Sequence, residues 1–195
     1  QPLFDIRTGE ITGAEALARM RSTGEEIMPG EFIPLMETVG DITRLDFLIY
    51  DKVCRYMAER KRRGLSSFSV SVNISREEFK NAGFVDDFHR LVTGYGVDPK
   101  DLGLEITESI FVENLMEISD AVNRFREYGY PILLDDFGSG FSSLNVLKDI
   151  SFDIIKLDRS FLGRSEITYA NKSIINSIVN LSRDLNVEVL CEGVE

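Results

Sequence analysis

Six apolar, strand-like runs in this chain end on or beside a side chain with a metal-binding oxygen. They are separated mostly by helix-like segments and lie at residues 14–17, 70–73, 104–106, 133–136, 154–158 and 189–192. In a parallel (β/α) barrel, the carboxyl ends of the strands meet at one mouth, where such barrels place their chemistry. Six oxygen-rich strand ends gathered there would suit a hard cation.

The remaining pattern predicts strands alternating with helices. A polar turn at residues 7–10 contains Gly9 and predicts an antiparallel hairpin between strands at 3–6 and 11–17. Five later strands follow helix-bearing connections, which favour parallel pairing with right-handed crossovers. Those strands are predicted at 68–74, 102–107, 131–135, 152–157 and 187–191, and helices at 32–39, 41–63, 75–92, 114–128, 144–148 and 167–185.

These elements predict one α/β domain over residues 1–195, because the chain can bury one sizeable core but is too short for two. The seven predicted strands are one fewer than a closed eight-stranded barrel requires. The last β/α portion of the barrel is therefore expected to be absent from these residues, and the alternative is an incomplete barrel. The start at Gln1 suggests a domain cut from a longer protein, whose membrane anchor, if any, would lie elsewhere.

Composition excludes several functions. The formal charge of −11 argues against a polynucleotide-binding surface, which needs a basic face. With no apolar run of membrane-spanning length and no leader, a cytoplasmic domain without membrane contact is expected. His89 is the only histidine, which excludes a His-rich zinc site or a His-based triad. Cys54 and Cys191 are interpreted as free core thiols in a reducing compartment, with a disulfide as the alternative.

The strand ends also carry a candidate catalytic lysine. Lys156 and Asp158 are two residues apart in a predicted strand, so they share a face. A lysine among carboxylates at a barrel mouth can orient a water molecule or stabilise developing negative charge. The alternative is a lysine that simply reaches solvent from the end of its strand.

Oxygen ligands without histidine or cysteine suit Mg²⁺ or Mn²⁺. Asp136 adjoins one of these ligands, so a second ion is expected, and two ions roughly 3.5–4 Å apart would activate a water and clamp a phosphodiester. Each acid taken alone could instead be a helix cap or a solvated strand end. The four candidate ligands of the first ion are Glu15, Asn73, Glu105 and Asp135.

Two other motifs lie near the strand ends. Arg19 follows Glu15 by four residues, and its guanidinium could bind a phosphate oxygen or simply face solvent. Residues 136–138 match the metal-binding tripeptide of protein kinases, but no glycine-rich phosphate loop or catalytic loop accompanies them. Residues 137–143 are better interpreted as a loop with two glycine hinges above the mouth, or as a turn that ends in a serine cap.

Together these residues resemble the EAL domain family, phosphodiesterases that hydrolyse cyclic di-GMP to linear pGpG. The matching motifs run in the same order along the whole chain. They are Glu15-Ala16-Leu17 with Arg19, Glu31-Phe32-Ile33-Pro34-Leu35, Asn73-Ile74-Ser75, Glu105-Ile106-Thr107-Glu108-Ser109, and residues 135–143, 156–161 and 192–195. The resemblance implies a modified TIM (β/α)8-type barrel whose first strand is antiparallel.

The resemblance also implies roles for individual residues. Glu15, Asn73, Glu105 and Asp135 would hold one Mg²⁺ or Mn²⁺ ion, and Asp135, Asp136 and Asp158 would hold or bridge to a second. Lys156 would position or help deprotonate the attacking water, and Glu192 would bind metal or act as base. The substrate contacts would be Arg19 on a phosphate, with Gln1 and Leu17 near the nucleotide. Glu108 would anchor the 136–143 loop.

The family further implies partners and an alternative function. Cyclic di-GMP is the expected ligand, a homodimer the expected assembly, and upstream sensory or diguanylate-cyclase-like domains the expected neighbours in the full-length protein. The alternative is a catalytically inactive EAL module that binds cyclic di-GMP or a protein partner and transmits a signal.

Overall fold

A computed structural model describes residues 1–66, 68–112, 115–138, 143–162 and 168–193. The chain divides into two compact units, and each is considered by itself. The first comprises Gln1–Leu104 with Glu127–Tyr130, and the second comprises Glu105–Arg126 with Pro131–Glu195.

The elements of the first unit are β1 Pro2–Phe4, β2 Ile11–Ala16, β3 Met20–Ser22, β4 Glu25–Ile27, α1 Pro29–Val39, α2 Ile42–Arg62, β5 Ser69–Asn73, α3 Phe84–Gly94 and the start of β6 Leu102–Thr107. The β6 strand passes into the second unit after Leu104. The strands lie in the order β1-β2-β5-β6, with a separate β3-β4 hairpin. The β1 strand is antiparallel to β2, and β2 is parallel to β5. Short 3-10 helices lie at Arg76–Lys80 and Pro99–Asp101.

The β1-β2 hairpin confirms the predicted antiparallel pair, whereas the β3-β4 hairpin was not predicted. Each strand of β3-β4 is only three residues long and mostly polar, so neither produces an apolar alternation. Its turn is formed by Thr23 and Gly24, both with positive φ, as two-residue hairpin turns require.

The single helix predicted over residues 75–92 was wrong, because a 3-10 helix and α3 occupy this segment with a break between them. Ser75 and Glu78 have the sequence spacing of an N-terminal capping box, but the Ser75 side chain makes no cap hydrogen bond. The Glu78 side chain is buried. Tertiary burial therefore overrides the local capping signal.

Besides the end of β6, the elements of the second unit are α4 Leu115–Glu127, β7 Ile132–Phe137, α5 Ser143–Asp149, β8 Ile154–Leu157, α6 Tyr169–Leu185 and β9 Glu188–Cys191. The strands lie in the order β6-β7-β8-β9, with β7-β8 and β8-β9 both parallel. Each of β7, β8 and β9 begins within two residues of its predicted start. Short 3-10 helices at Glu108–Val112 and Arg159–Leu162 follow β6 and β8.

Aromatic packing dominates the core of the first unit. Tyr50 lies edge-to-face with Phe88 at a centroid distance of 4.9 Å, and Phe88 contacts Tyr130 in the same geometry at 5.4 Å. Such pairs add about 0.5–1.5 kcal/mol beyond the area that they bury. The packing holds α2 against α3 and fixes the direction of the Tyr50 hydroxyl.

Both cysteines are free thiols, as predicted, but only one lies in a core. Cys54 is buried in α2, whereas Cys191 is exposed at the end of β9, so the prediction of a core position for Cys191 was wrong. In the part of the chain that the structure describes, no helix has the length and apolar character needed to cross a membrane.

Candidate active site

Lys156, near the end of β8, is the centre of a cluster of acids in the second unit. Its Nζ lies 2.5 Å from Glu105 Oε2, 3.1 Å from Asp135 Oδ1 and 2.9 Å from Glu192 Oε1. These residues lie in β6 and β7 and just after β9, so the strand ends bring four predicted site residues together. Lys156 and Glu105 are each only 1% exposed.

The charges of this cluster are unequal. Three carboxylates surround one ammonium, three negative charges against one positive, which leaves a formal charge of −2. Taking such charges out of water costs several kcal/mol per ion unless opposite charges and hydrogen bonds compensate. A divalent cation would neutralise the remaining charge.

Two further predicted ligands add negative charge to this region. Burial raises the pKa of Asp136, and the nearby carboxylates of Asp135, Asp158 and Glu192 raise it further, while Lys156 opposes the rise. Hydrogen bonds from Ser160 lower the pKa of Asp158, whose Oδ1 accepts the Ser160 N–H at 2.9 Å. Asp158 therefore also serves the cap role that was the alternative to metal binding.

The first unit contains the other two candidate ligands, Glu15 in β2 and Asn73 at the end of β5. The Asn73 side-chain amide donates a 3.2 Å hydrogen bond to Glu15 Oε1. Because the Asn73 nitrogen is engaged there, its Oδ1 is the atom that remains suited to a cation. The two parallel strands thus bring together residues 58 positions apart in the chain.

The predicted substrate contacts lie around the end of β2. Arg19 is exposed, with its Nε 3.6 Å from Glu26 Oε1 in β4. The partly exposed Leu17 follows β2 by one residue. The backbone carbonyl of Gln1 accepts the N–H of Glu15 at 2.8 Å, which places Gln1 next to a candidate ligand. Their roles stay predictions.

Glu108 contacts the start of the loop that it was predicted to anchor. Its Oε2 accepts a 3.3 Å hydrogen bond from the N–H of Gly138. Gly138 has a φ of +89°, and a Cβ at this position would collide with the Phe161 ring. Residues 139–142 of the predicted loop lie outside the described residues.

We expect Gly138→Ala to destabilise the protein more than Gly129→Ala does. Both glycines have a positive φ, +89° for Gly138 and +92° for Gly129, but a Cβ on Gly129 would meet nothing within 4 Å. Backbone strain should cost each variant about 1–2 kcal/mol, and overpacking against Phe161 should add about 1–3 kcal/mol to Gly138→Ala. Urea unfolding measures both, and equal losses would contradict the predicted collision.

Two contacts with candidate site residues were not predicted from the sequence. Glu26 pairs with Arg19, and the hydroxyl of Tyr50 bonds the backbone of Asn73. Glu26 lies in the hairpin that the apolar pattern missed. Tyr50 follows the apolar periodicity of α2, which predicts burial but not what its hydroxyl contacts.

The oxygen donors of these clusters fit a hard divalent cation, since three carboxylates converge within 3.1 Å of one nitrogen. Across the described ranges, however, no three acidic, histidine or cysteine side chains form a ready-made metal cluster. In the second unit, the Lys156 ammonium occupies the point on which the oxygens converge. The carboxylates there would have to be shared between Lys156 and an ion.

The model of the EAL domain family matches residues 1–195, so this chain belongs to the EAL domain family. A solved structure described as the PaMucR phosphodiesterase in complex with c-di-GMP superimposes with a TM-score of 0.92 at 33% identity, covering 100% of this chain and 79% of that one. The predicted fold class, an α/β modified TIM barrel with an antiparallel first strand, is confirmed by this likeness and by the β1-β2 pairing.

Curated relatives include a probable cyclic di-GMP phosphodiesterase, PdeB of Escherichia coli, which is 33% identical over 196 residues. Another is the bifunctional diguanylate cyclase/cyclic di-GMP phosphodiesterase MucR of Pseudomonas aeruginosa, at 32% identity. The match covers 100% of this chain but only 37% and 29% of these two proteins. EAL phosphodiesterases generally depend on a divalent metal.

Proposed function

We propose that this chain hydrolyses cyclic di-GMP to linear pGpG with Mg²⁺ or Mn²⁺, and that residues 1–195 act as one phosphodiesterase domain. The observation that carries the proposal is the buried lysine with three carboxylates at the strand ends. The net negative charge of this site supports the binding of a cation, and its oxygen donors are those that Mg²⁺ and Mn²⁺ prefer.

The family resemblance assigns Glu15, Asn73, Glu105 and Asp135 to one ion, and Asp135, Asp136 and Asp158 to the second. When bound, the ions would offset the carboxylates and lower the pKa of a bound water. The contact between Glu15 and Asn73 supports a shared role for that pair. The effects of Asp135 and Asp158 on the Asp136 pKa support a common location for the second set.

Lys156 and Glu192 are the proposed proton-handling pair. The Lys156 ammonium, held by three carboxylates, can donate hydrogen bonds to the attacking water and to the phosphate oxygens that gain charge. Glu192 is the most exposed of the three carboxylates, which leaves it accessible to take a proton from water. Water adds to phosphorus, one P–O bond of the ring breaks, and the departing oxygen is protonated.

Arg19 would bind a substrate phosphate through its guanidinium. Its exposed ion pair with Glu26 is weak, at about 0–1 kcal/mol, so a phosphate can replace it. We further propose a homodimer, and sensory or diguanylate-cyclase-like domains elsewhere in the polypeptide. The multidomain names and lengths of the relatives support these additional domains.

The test is turnover of cyclic di-GMP by the protein at its full natural length, with Mg²⁺ or Mn²⁺. We expect pGpG to accumulate with the metal and not with a chelator, and Glu15→Ala to abolish the activity while the protein stays folded. Glu10→Ala is the matched control, because Glu10 is an exposed acid just before β2. Tight binding of cyclic di-GMP without pGpG, in a protein that binds metal, would instead establish an inactive receptor module.

A further inference from the structure

Tyr50 connects the aromatic core of the first unit to a candidate metal ligand. Its side chain is fully buried, and its ring packs edge-to-face against Phe47 and Phe88. Its hydroxyl donates a 3.2 Å hydrogen bond to the backbone carbonyl of Asn73. A rigid core residue therefore reaches the backbone at the end of β5.

The position of this carbonyl explains why the contact matters. The paired registers of β2 and β5 run from Gly13↔Ser69 to Ala16↔Val72, so Asn73 lies one residue beyond its last pair with β2. Past this point, β5 gives way to the turn that leads into the 3-10 helix. The Tyr50 hydroxyl thus holds the backbone where the ladder with β2 no longer does.

Asn73 is held on two sides. The backbone carbonyl accepts from Tyr50, and the side-chain amide donates to Glu15 Oε1 at 3.2 Å. Because both the backbone carbonyl and the side-chain amide of Asn73 are hydrogen-bonded, the orientation of its side chain is set. The same two hydrogen bonds fix the direction of Oδ1. Partners that orient metal ligands in this way tune affinity without touching the ion.

We propose that Tyr50 is a positioning residue for divalent-metal binding, acting through the backbone of Asn73 on the Asn73–Glu15 pair. The inference rests on the proposed function, in which these two residues are metal ligands. Tyr50 contacts neither the ion nor the substrate in this role. It lowers the cost of ordering Asn73 when the ion binds.

The test is Tyr50→Phe in the full-length protein, which removes only the hydroxyl and keeps the ring contacts. Calorimetric titration with Mn²⁺ in the absence of substrate should show a dissociation constant raised roughly three- to tenfold, the effect of one hydrogen bond. The Mn²⁺ concentration for half-maximal hydrolysis should rise similarly. The kcat at saturating Mn²⁺ should stay within about twofold of wild type, since ion binding then orders Asn73.

Tyr130→Phe is the matched control. Tyr130 is also buried against Phe88, and its hydroxyl lies 3.2 Å from His89 Nδ1 in α3. We expect this variant to bind Mn²⁺ as wild type does. An equal loss of Mn²⁺ affinity in both variants would assign the effect to core packing and overturn the positioning role.

A double-mutant cycle with Asn73→Ala separates positioning from general destabilisation. This variant keeps the backbone carbonyl but removes the side chain that Tyr50 is proposed to orient. In the Asn73→Ala background, Tyr50→Phe should cause no further loss of Mn²⁺ affinity, whereas a full additional loss would overturn the inference. Wild-type protein that binds Mn²⁺ without hydrolysis would overturn only the proposed function, and Tyr50→Phe with wild-type affinity would overturn only this inference.

Discussion

Lys156→Met is expected to lower the rate of cyclic di-GMP hydrolysis at saturating Mn²⁺ by a factor on the order of 10²–10⁴. The ammonium lies within 3.1 Å of three carboxylate oxygens and supplies the positive charge of the cluster. Methionine has a similar length and packs well, but it cannot donate a hydrogen bond to water or phosphate. Single-turnover kinetics at saturating Mn²⁺ and substrate would measure the chemical step directly.

The same substitution should also change stability in a metal-dependent way. Removing one partner from a buried charge cluster typically costs about 3–5 kcal/mol, because the remaining charges lose their compensation. Without metal, Lys156→Met should therefore unfold at much lower urea concentration than wild type. Added Mn²⁺ should recover much of this loss, since the ion would replace the missing positive charge beside Glu105 and Asp135.

Lys148→Met is the matched control, because Lys148 is an exposed lysine in α5. It should retain wild-type rates and stability with and without Mn²⁺. If Lys156→Met kept near-normal hydrolysis, the catalytic role of Lys156 would be wrong. If Mn²⁺ stabilised Lys156→Met no more than it stabilised wild type, the cluster would not be where the ion binds.

The strand ends were predictable because the information is local. A run such as Ile154–Leu157 marks a strand by its apolar residues, and period-two alternation then places Lys156 on the face opposite Ile155. The convergence of Glu105, Asp135 and Glu192 on Lys156 follows once the strands are parallel and adjacent. The sequence alone therefore predicts that these three acids lie near Lys156. It does not predict the distances between them or how many carboxylate oxygens bind the Lys156 ammonium.

Other features depend on tertiary packing that no local pattern records. Ser75 and Glu78 have the spacing of a capping box, yet Glu78 is buried and the helix divides. The Tyr50 hydroxyl could have faced any side of α2, and only the packing of Phe47 and Phe88 directs it at Asn73. Arg19 was predicted to bind a phosphate oxygen or face solvent, but its pairing with Glu26 requires a hairpin too short to detect.

Glu78 is a buried acid whose ionisation should make the stability of the protein depend on pH. It lies in the 3-10 helix after β5, is 1% exposed, and its Oε1 has no hydrogen-bond partner among the described residues. Burial, reinforced by the charge of Asp46, raises the pKa of Glu78 from 4.5 to about 8. Burial likewise raises the pKa of Asp46 from 3.8 to about 6, with Glu37 adding to the rise and hydrogen bonding to Ser75 opposing it.

The sign of the effect follows from which state holds the protons. At a pH between the ordinary pKa and the raised pKa of each acid, the folded protein keeps a proton on that acid, whereas the unfolded chain has released it. The contribution of these two acids to the free energy of unfolding is therefore most favourable below about pH 4, and it falls as the pH rises through about 6 for Asp46 and about 8 for Glu78. Above pH 8, this penalty is complete and constant.

Glu78→Gln should remove most of this penalty, because an amide fills the same space and never ionises. We expect the variant to be more stable than wild type by about 2–4 kcal/mol at pH 8.5, and nearly equal to it at pH 4. Urea unfolding across this pH range would measure the difference. Glu77→Gln is the control, since Glu77 is the adjacent residue of the same 3-10 helix and forms an ion pair near the surface with Lys80. Loss of this ion pair should change the free energy of unfolding by less than about 1 kcal/mol at any pH. A Glu78→Gln variant whose stability fell with pH as steeply as that of wild type would show that Glu78 is ionised at no cost in the folded protein, and the buried acid pair would then have a compensating partner.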